Sequence, residues 1–319
     1  MQIKNLGGEF GLIDRIKKKI KIKDKNVVKG IGDDAAAIDI YGKNLLLLTT
    51  DTLVEDDHFS LKFSTHKQIG MKAIEQNVSD IAAMGGLPSY AMVSLSLPKD
   101  TDAKFVDDLY GGLLKKAKKY GIGIVGGNIS HSMQVVINVS LVGFVEKKMI
   151  VPRSGARVGD LVMCSGDVGK SAAGLELLRK GMNGKSVKFH LEPRCRLDLA
   201  RKLAKIGINS MIDVSDGVSP EVRHICEESN AGAIIYADMI PISKSTIADS
   251  KKAGKDALDL ALHGGEDFEL IFTAGKDKLN KIEKLGAFVI GEIVGKEKGI
   301  MLLKEGRLLE LKGGFDHFG

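Results

Sequence analysis

The sequence predicts an α/β protein built as two halves, and three observations carry that prediction. Strand-like runs exchange with amphipathic helical stretches, first in one series and then in a second. A turn-rich join, "VPRSGARVGD", separates the two series, placing a domain boundary near Val151. With 319 residues, 44% hydrophobic and 28% charged, the chain can bury two ordinary cores.

In the first half, "KNLLLLTTDTLV" reads as a buried strand. The stretch His66 to Gly86 carries Met71, Ile74, Val78 and Ile81 on one stripe, with Ile69, Ala73 and Met84 opposite. A helix covered on both sides and closed by Gly85 and Gly86 is the expectation. "YAMVSLSLP" then reads as a strand, "AKFVDDLYGGLLKKAKKYG" as an amphipathic helix, "IGIVGG" as a short strand and "QVVINVSLVGFV" as an alternating one. In the second half, "DLVMCSG", "SMID", "AGAIIYA", "DFELIFTA", "AFVIGEIV" and "GIMLL" are strands. "SAAGLELLRKG", "RCRLDLARKLAKIG" and "SPEVRHICEESN" are helices between them.

The net charge of +6 raises nucleic-acid binding as a candidate. Its basic residues fall in mixed segments such as "DRIKKKIKIKDK", which read as solvated helix faces, and aromatics are only 5% of the chain. No nucleic-acid partner is expected. The longest apolar run, "NLLLLTT", is too short to span a bilayer, and the first residues lack a signal-peptide pattern. A cytoplasmic chain with no membrane partner is the default. Cys164, Cys195 and Cys226 are far apart with no CxxC pair, so neither a disulfide framework nor a thiolate zinc site is expected.

The acidic residues are more informative. Asp33 and Asp34 follow Gly-Ile-Gly and precede apolar residues; adjacent carboxylates in such a setting repel unless a cation compensates them. A divalent metal would do so, although a turn or cap accounts for one of the two. Thr49, Thr50 and Asp51 end an apolar strand, where α/β folds place functional loops. Glu55, Asp56, Asp57 and His58 follow, either as further oxygen ligands or as a solvated turn. Asn77 and Asp80 intrude on the covered helix, and Asp80 needs either a basic partner or a metal. Asp213, Ser215 and Asp216 follow a short strand, while Glu266 and Asp267 sit between two glycines and a strand. Each alone reads equally as a cap; together they describe a site for several metals and phosphate.

Competing chemistries lack support. "CSGDVGKSAAG" resembles a P-loop, but Cys164 stands where its first glycine should fall. A strand-to-helix turn is expected there, with Lys170 on an exposed first turn. No GxSxG elbow or HExxH pair occurs.

The blocks "GIGDDAA", "TTDTLVEDDHF", "NVSDIAAMGGLP", "RSGARVGD", "GKSAAGL", "MIDVSDG", "GGEDFEL" and the terminal "GFDHF" occur in this order along nearly the whole chain. In them the chain resembles the thiamine-monophosphate kinase family, within the superfamily of aminoimidazole ribonucleotide synthetase, selenophosphate synthetase and a hydrogenase-maturation protein. The resemblance implies two α/β domains. Residues 1–150 would bind ATP and Mg²⁺ and dimerise, with two subunits pairing their sheets into a barrel; 151–319 would complete the active site. It implies a homodimer that transfers the ATP γ-phosphoryl group in line to thiamine monophosphate, using several Mg²⁺ ions. Metal positions would be Asp34, Thr49, Asp51, Asp80, Asn128, Asp213 and Asp216, with Asp80, Asp213 and Arg153 central to catalysis. Gly127, Asn128, Arg153 and Ser215 would contact the nucleotide; His58, Glu266 and Phe315 would contact the acceptor. Asn128 departs from the Asp usual in the family: its amide oxygen ligates Mg²⁺ without adding charge. Lys170 stands where an acidic residue is common. Another ATP-dependent enzyme of the superfamily is the alternative, with a basic nucleic-acid-binding protein behind it.

Overall fold

The computed structural model describes residues 8–311 and 313. Phe315 and the "GFDHF" block therefore lie outside the described residues. The first half runs α1 (Gly8–Lys19), β1 (Val27–Lys29), β2 (Ala36–Asp39), β3 (Asn44–Val54), α2 (His66–Ala83), β4 (Leu87–Leu97), α3 (Ala103–Tyr120), β5 (Gly123–His131) and β6 (Val136–Glu146). The second runs β7 (Leu161–Cys164), α4 (Lys170–Arg179), α5 (Val187–Leu191), α6 (Leu197–Ile206), β8 (Ser210–Asp213), α7 (Val218–Ser229) and β9 (Gly232–Tyr236). It continues with α8 (Lys244–Lys252), α9 (Ala257–His263), β10 (Leu270–Ala274), α10 (Leu279–Glu283), β11 (Phe288–Val294), β12 (Ile300–Lys304) and β13 (Arg307–Glu310).

Two mixed sheets result, ordered β1-β2-β3-β6-β4-β5 and β13-β12-β9-β11-β7-β10-β8. In the first, the long β3–β6 ladder pairs Thr49 with Leu141 and Asp51 with Val139. Because a strand alternates, Thr49 and Asp51 share the face that packs on helices, and Thr50 points the other way toward Ser140. That other face is open: Tyr90, Met92, Val125 and Ile129 are all exposed on it or at its β5 edge.

Helix α2 is the hub. Thr65 caps it reciprocally with Gln68: the Gln68 N–H donates to Thr65 Oγ1 at 3.3 Å, and the Thr65 N–H to Gln68 Oε1 at 3.0 Å. Gly85, in the left-handed region at φ 73°, helps turn the chain out of it. Gly70 and Gly112 let α2 and α3 touch backbone to backbone; a Cβ on Gly70 would fall 2.1 Å from the Leu109 carbonyl oxygen. On one side α2 contributes Ile74, Val78 and Ile81 to the first core. Its last turn adds Ala82 and Ala83 to a core shared with Met163, Met211 and Phe272 of the second sheet. A helix wedged between two sheets is buried nearly all round, so its polar side chains face other elements of the protein instead of solvent. Among the described residues, no helix is long and apolar enough to cross a membrane.

Candidate active site

Four elements deliver carboxylates to one floor beside α2. Asp34 comes from the turn before β2, Asp51 from β3, Asp80 from the last turn of α2 and Asp213 from the end of β8. Carboxylate oxygens of Asp34, Asp80 and Asp213 all lie within 4.8 Å of one another. Hydroxyls and one amide hold them: Thr49 Oγ1 donates to Asp80 Oδ2 at 2.5 Å, Ser79 Oγ to Asp213 Oδ2 at 2.5 Å, and Gln76 bonds Asp51.

The floor's partnering cation is Arg153, whose Nη2 and Nε reach Asp34 Oδ1 at 2.6 and 3.1 Å, while its backbone N–H donates to Asp33 Oδ1 at 2.6 Å. One guanidinium does not neutralise four carboxylates. Burial and the charges of Asp51, Asp213 and Asp34 push the Asp80 carboxyl well above the usual range. Burial, with Asp34 beside it, raises Asp213 to about 8; burial raises Asp51 to about 6. Asp34 also rises, by burial, despite its pairing with Arg153. Its second oxygen, Oδ2, is buried with no hydrogen-bond partner among the described residues. An all-oxygen cluster, an orphaned buried carboxylate oxygen and an unbalanced negative charge fit a hard divalent cation such as Mg²⁺. The candidate ligands are Asp34, Asp80 and Asp213, flanked by Asp51 and Thr49.

Ser215 and Asp216 lie just beyond β8. Both backbone N–H groups donate to Glu221 Oε1, at 3.2 and 2.9 Å, and so does the Ser215 hydroxyl, at 3.3 Å. Glu221, on the first turn of α7, thus shapes the loop; sequence reading passed over it. Burial and the charge of Asp216 push Glu221 well above the ordinary glutamate value.

Glu266 lies against this loop, its N–H donating to the Ser215 carbonyl at 2.7 Å. One carboxylate oxygen pairs with Lys72 of α2, and the other lies 3.3 Å from His190 Nδ1. Lys72 also donates to the His58 carbonyl at 2.6 Å, so the two sequence-predicted acceptor residues meet through a lysine that the sequence did not single out. Burial alone would raise the Glu266 carboxyl, but the Lys72 charge and His190 bring it below the usual value.

Not every candidate joins the floor. Gly127 and Asn128 sit on β5, the exposed edge strand, where Asn128 is in register with Ser94, Asn138 and Thr52 across the sheet. Three strand spacings, about 14 Å, separate β5 from β3, so within one chain Asn128 is remote from Asp51. Asp267 caps α4 instead, accepting the Gly169 N–H at 2.5 Å and the Ser171 N–H at 2.9 Å. Lys170 is not on an exposed turn: it is 8% exposed and paired with Glu269, which Arg196 also grips at 2.6 and 2.7 Å. That corrects the expectation for this stretch and explains why it is no P-loop.

Two mixed sheets flanking a buried helix, with a carboxylate floor between them, define the class: residues 32–145 match the N-terminal domain of AIR synthase related proteins, and 157–304 match their C-terminal domain. Within that class the similarity is specific. The thiamine-monophosphate kinase of Aquifex aeolicus is 39% identical over all of both chains, and that of Bacillus subtilis is 34% identical over 97% of this chain and 99% of its own. A solved structure described as AaThiL complexed with AMPPCP and TMP matches with a TM-score of 0.88 and 38% identity, covering 100% of this chain and 99% of that one. The chain belongs to the thiamine-monophosphate kinase family. Hydrogenase maturation protein HypE in complex with ATP, at 20% identity and a TM-score of 0.70, shares the fold.

Proposed function

We propose that the chain phosphorylates thiamine monophosphate with ATP, giving thiamine diphosphate and ADP by direct in-line transfer. The observation that carries this reading is the uncompensated floor of Asp34, Asp51, Asp80 and Asp213 with the orphaned Asp34 oxygen. Family membership supplies the acceptor. The reaction joins two polyanions, so the protein's work is to align them and offset their charge. The acceptor is already an ionised phosphate, and no general base is required.

Several bound Mg²⁺ ions would supply charge neutralisation and in-line alignment of the two phosphate chains. Asp34, Thr49, Asp51, Asp80, Asp213 and Asp216 would hold them. Arg153, paired with Asp34 through Nη2 and Nε, has a planar donor fork suited to a phosphate. Ser215, steadied by Glu221, is placed beside Asp213 to meet the nucleotide. His58, Glu266 and Phe315 would hold the ring end of the acceptor.

The reading assigns 1–150 to ATP and Mg²⁺ binding and dimerisation, and 151–319 to completing the site. Its support for a homodimer is the open face of the first sheet, with Tyr90, Met92, Val125 and Ile129 exposed. A second copy laid on that face would cover apolar surface and bring a β5 edge with Gly127 and Asn128 into the shared interface. The test is formation of thiamine diphosphate from thiamine monophosphate, ATP and Mg²⁺, with unphosphorylated thiamine as control. Product from the monophosphate alone is expected; ATP binding without product would refute the acceptor.

A further inference from the structure

One face of α2 presents Lys72, Gln76, Ser79 and Asp80, each to a group from another element: Glu266, Asp51, Asp213 and Thr49. Steps of four from Lys72 to Gln76 and on to Asp80, with Ser79 three residues beyond Gln76, keep the four side chains on one side of the helix. Asp80 stands at the carboxylate floor. Lys72 stands at the other end, eight residues or about 12 Å of helix away.

The Lys72 end is built as a clamp across the two halves of the chain. Lys72 is 3% exposed, and its ammonium joins the His58 carbonyl of the first half to Glu266 of the second. His190, equally buried on α5, faces the other Glu266 oxygen, and its Nδ1 lies 3.1 Å from Ser171 Oγ. The void among Lys72, His190, His58 and Gln68 is about 10 Å³, room for roughly one water. These side chains have nowhere else to go. Glu266 itself is held at φ 65°, a left-handed conformation that a glutamate rarely adopts, by its N–H bond to Ser215. A buried ion pair and an unfavourable backbone angle are poor sources of stability. Both aim one carboxylate.

We propose that Lys72 and His190 are positioning residues that fix the Glu266 carboxylate as the acceptor for a cationic or N–H-bearing ring, and that α2 measures the acceptor substrate between this clamp and the carboxylate floor. The proposal deepens the kinase reading and rests on it. Lys72 and His190 engage one direction of each Glu266 oxygen, and a carboxylate offers about four acceptor directions, so directions remain for ring donors. A phosphate is repelled there by like charge. At the Asp80 end the preference reverses, because a phosphate arrives with the cations that the floor requires. A two-ring acceptor is therefore oriented before reaction, and one without its phosphate fills only the clamp.

The test is steady-state kinetics of the full chain with thiamine monophosphate and ATP varied separately, for Lys72→Met, Glu266→Gln and the double variant. Because Lys72 acts through Glu266, Lys72→Met should raise KM for thiamine monophosphate about tenfold or more and leave KM for ATP within about twofold. The double variant should match Glu266→Gln alone, since two residues in one unit do not multiply their effects. If Lys72→Met gives no folded enzyme, Lys72→Gln keeps a donor for the His58 carbonyl and takes its place. An unchanged KM for thiamine monophosphate, or effects that multiply in the double variant, overturns the clamp while the wild type still turns over. A wild type that makes no thiamine diphosphate overturns the kinase reading itself, and the clamp with it.

Discussion

Two of the charge clusters among the described residues contrast: the one at the start of α4 is balanced, and the carboxylate floor is not. At the start of α4, Glu269 takes Lys170 on one oxygen, Arg196 on both and the Ser165 hydroxyl on Oε2, while Asp267 is satisfied by two backbone N–H groups. At the floor, four carboxylates face one guanidinium, and Asp34 Oδ2 has no partner among the described residues. The α4 cluster is closed, and its glycine-lysine-serine sequence has structural work only. The floor is open, and its missing charge must come from outside the chain.

The largest expected effect that separates the two falls on catalysis. Asp80→Asn should lower kcat by about a thousandfold or more, because it removes a central carboxylate from a site that works by charge alignment. The metal-free variant should also unfold at a higher temperature than wild type, since one repelling charge has gone. A calorimetric scan beside a product assay checks both.

Breaking the closed cluster should cost stability instead. Glu269→Ala leaves the buried Lys170 ammonium with the Asp167 carbonyl at 2.8 Å but no carboxylate, while the more exposed Arg196 turns to water; the change should destabilise the chain by about 3 kcal/mol, measured by urea unfolding. Retained stability would mean that the ammonium and guanidinium find other partners.

The clusters should also part in their response to pH. Asp51 at about 6 and Asp213 at about 8 lie above their unfolded values, so the folded floor binds extra protons. In metal-free protein that contribution is complete at low pH and is lost as pH rises from about 4 through 8. Mg²⁺ should flatten the slope. Burial opposes it, yet Lys170 and Arg196 bring the Glu269 carboxyl below its usual value, so its contribution is present above about pH 4.3 and is lost on further acidification. Unfolding midpoints from about pH 2 to 9 in EDTA test both signs. The smallest effect should come from Lys170→Ala, which leaves Arg196 on Glu269: kcat within about threefold, with a lower unfolding temperature.

Sequence reading found the open cluster more readily than the closed one, for a physical reason. Asp34, Asp80 and Asp213 stand among apolar residues, glycines or a strand end, where a carboxylate has no local partner to explain it; Asp51, read as ending its strand, lies within β3 and points to the same floor. Lys72, Gln76 and Ser79 escaped because their polar stripe lies on a helix buried nearly all round, where it faces partners distant in sequence and reads as an ordinary solvated face. Glu269 lay in a segment read simply as a strand, and its partners are 99 and 73 residues away. Lys170 was assigned to solvent because its burial depends on that distant carboxylate. β6 was legible from alternation and β3 from its apolar run, whereas β1, β2 and β13 show neither; β5, read as a short strand, runs nine residues because its exposed second part carries no apolar pattern.

The most direct measurement sets the two regions side by side: initial rates of thiamine diphosphate formation from thiamine monophosphate, ATP and Mg²⁺ for wild type, Asp80→Asn and Lys170→Ala. The account predicts product from wild type and Lys170→Ala at similar rates and almost none from Asp80→Asn. An active Asp80→Asn enzyme beside a dead but folded Lys170→Ala enzyme would contradict it, and would move the phosphate site to the start of α4.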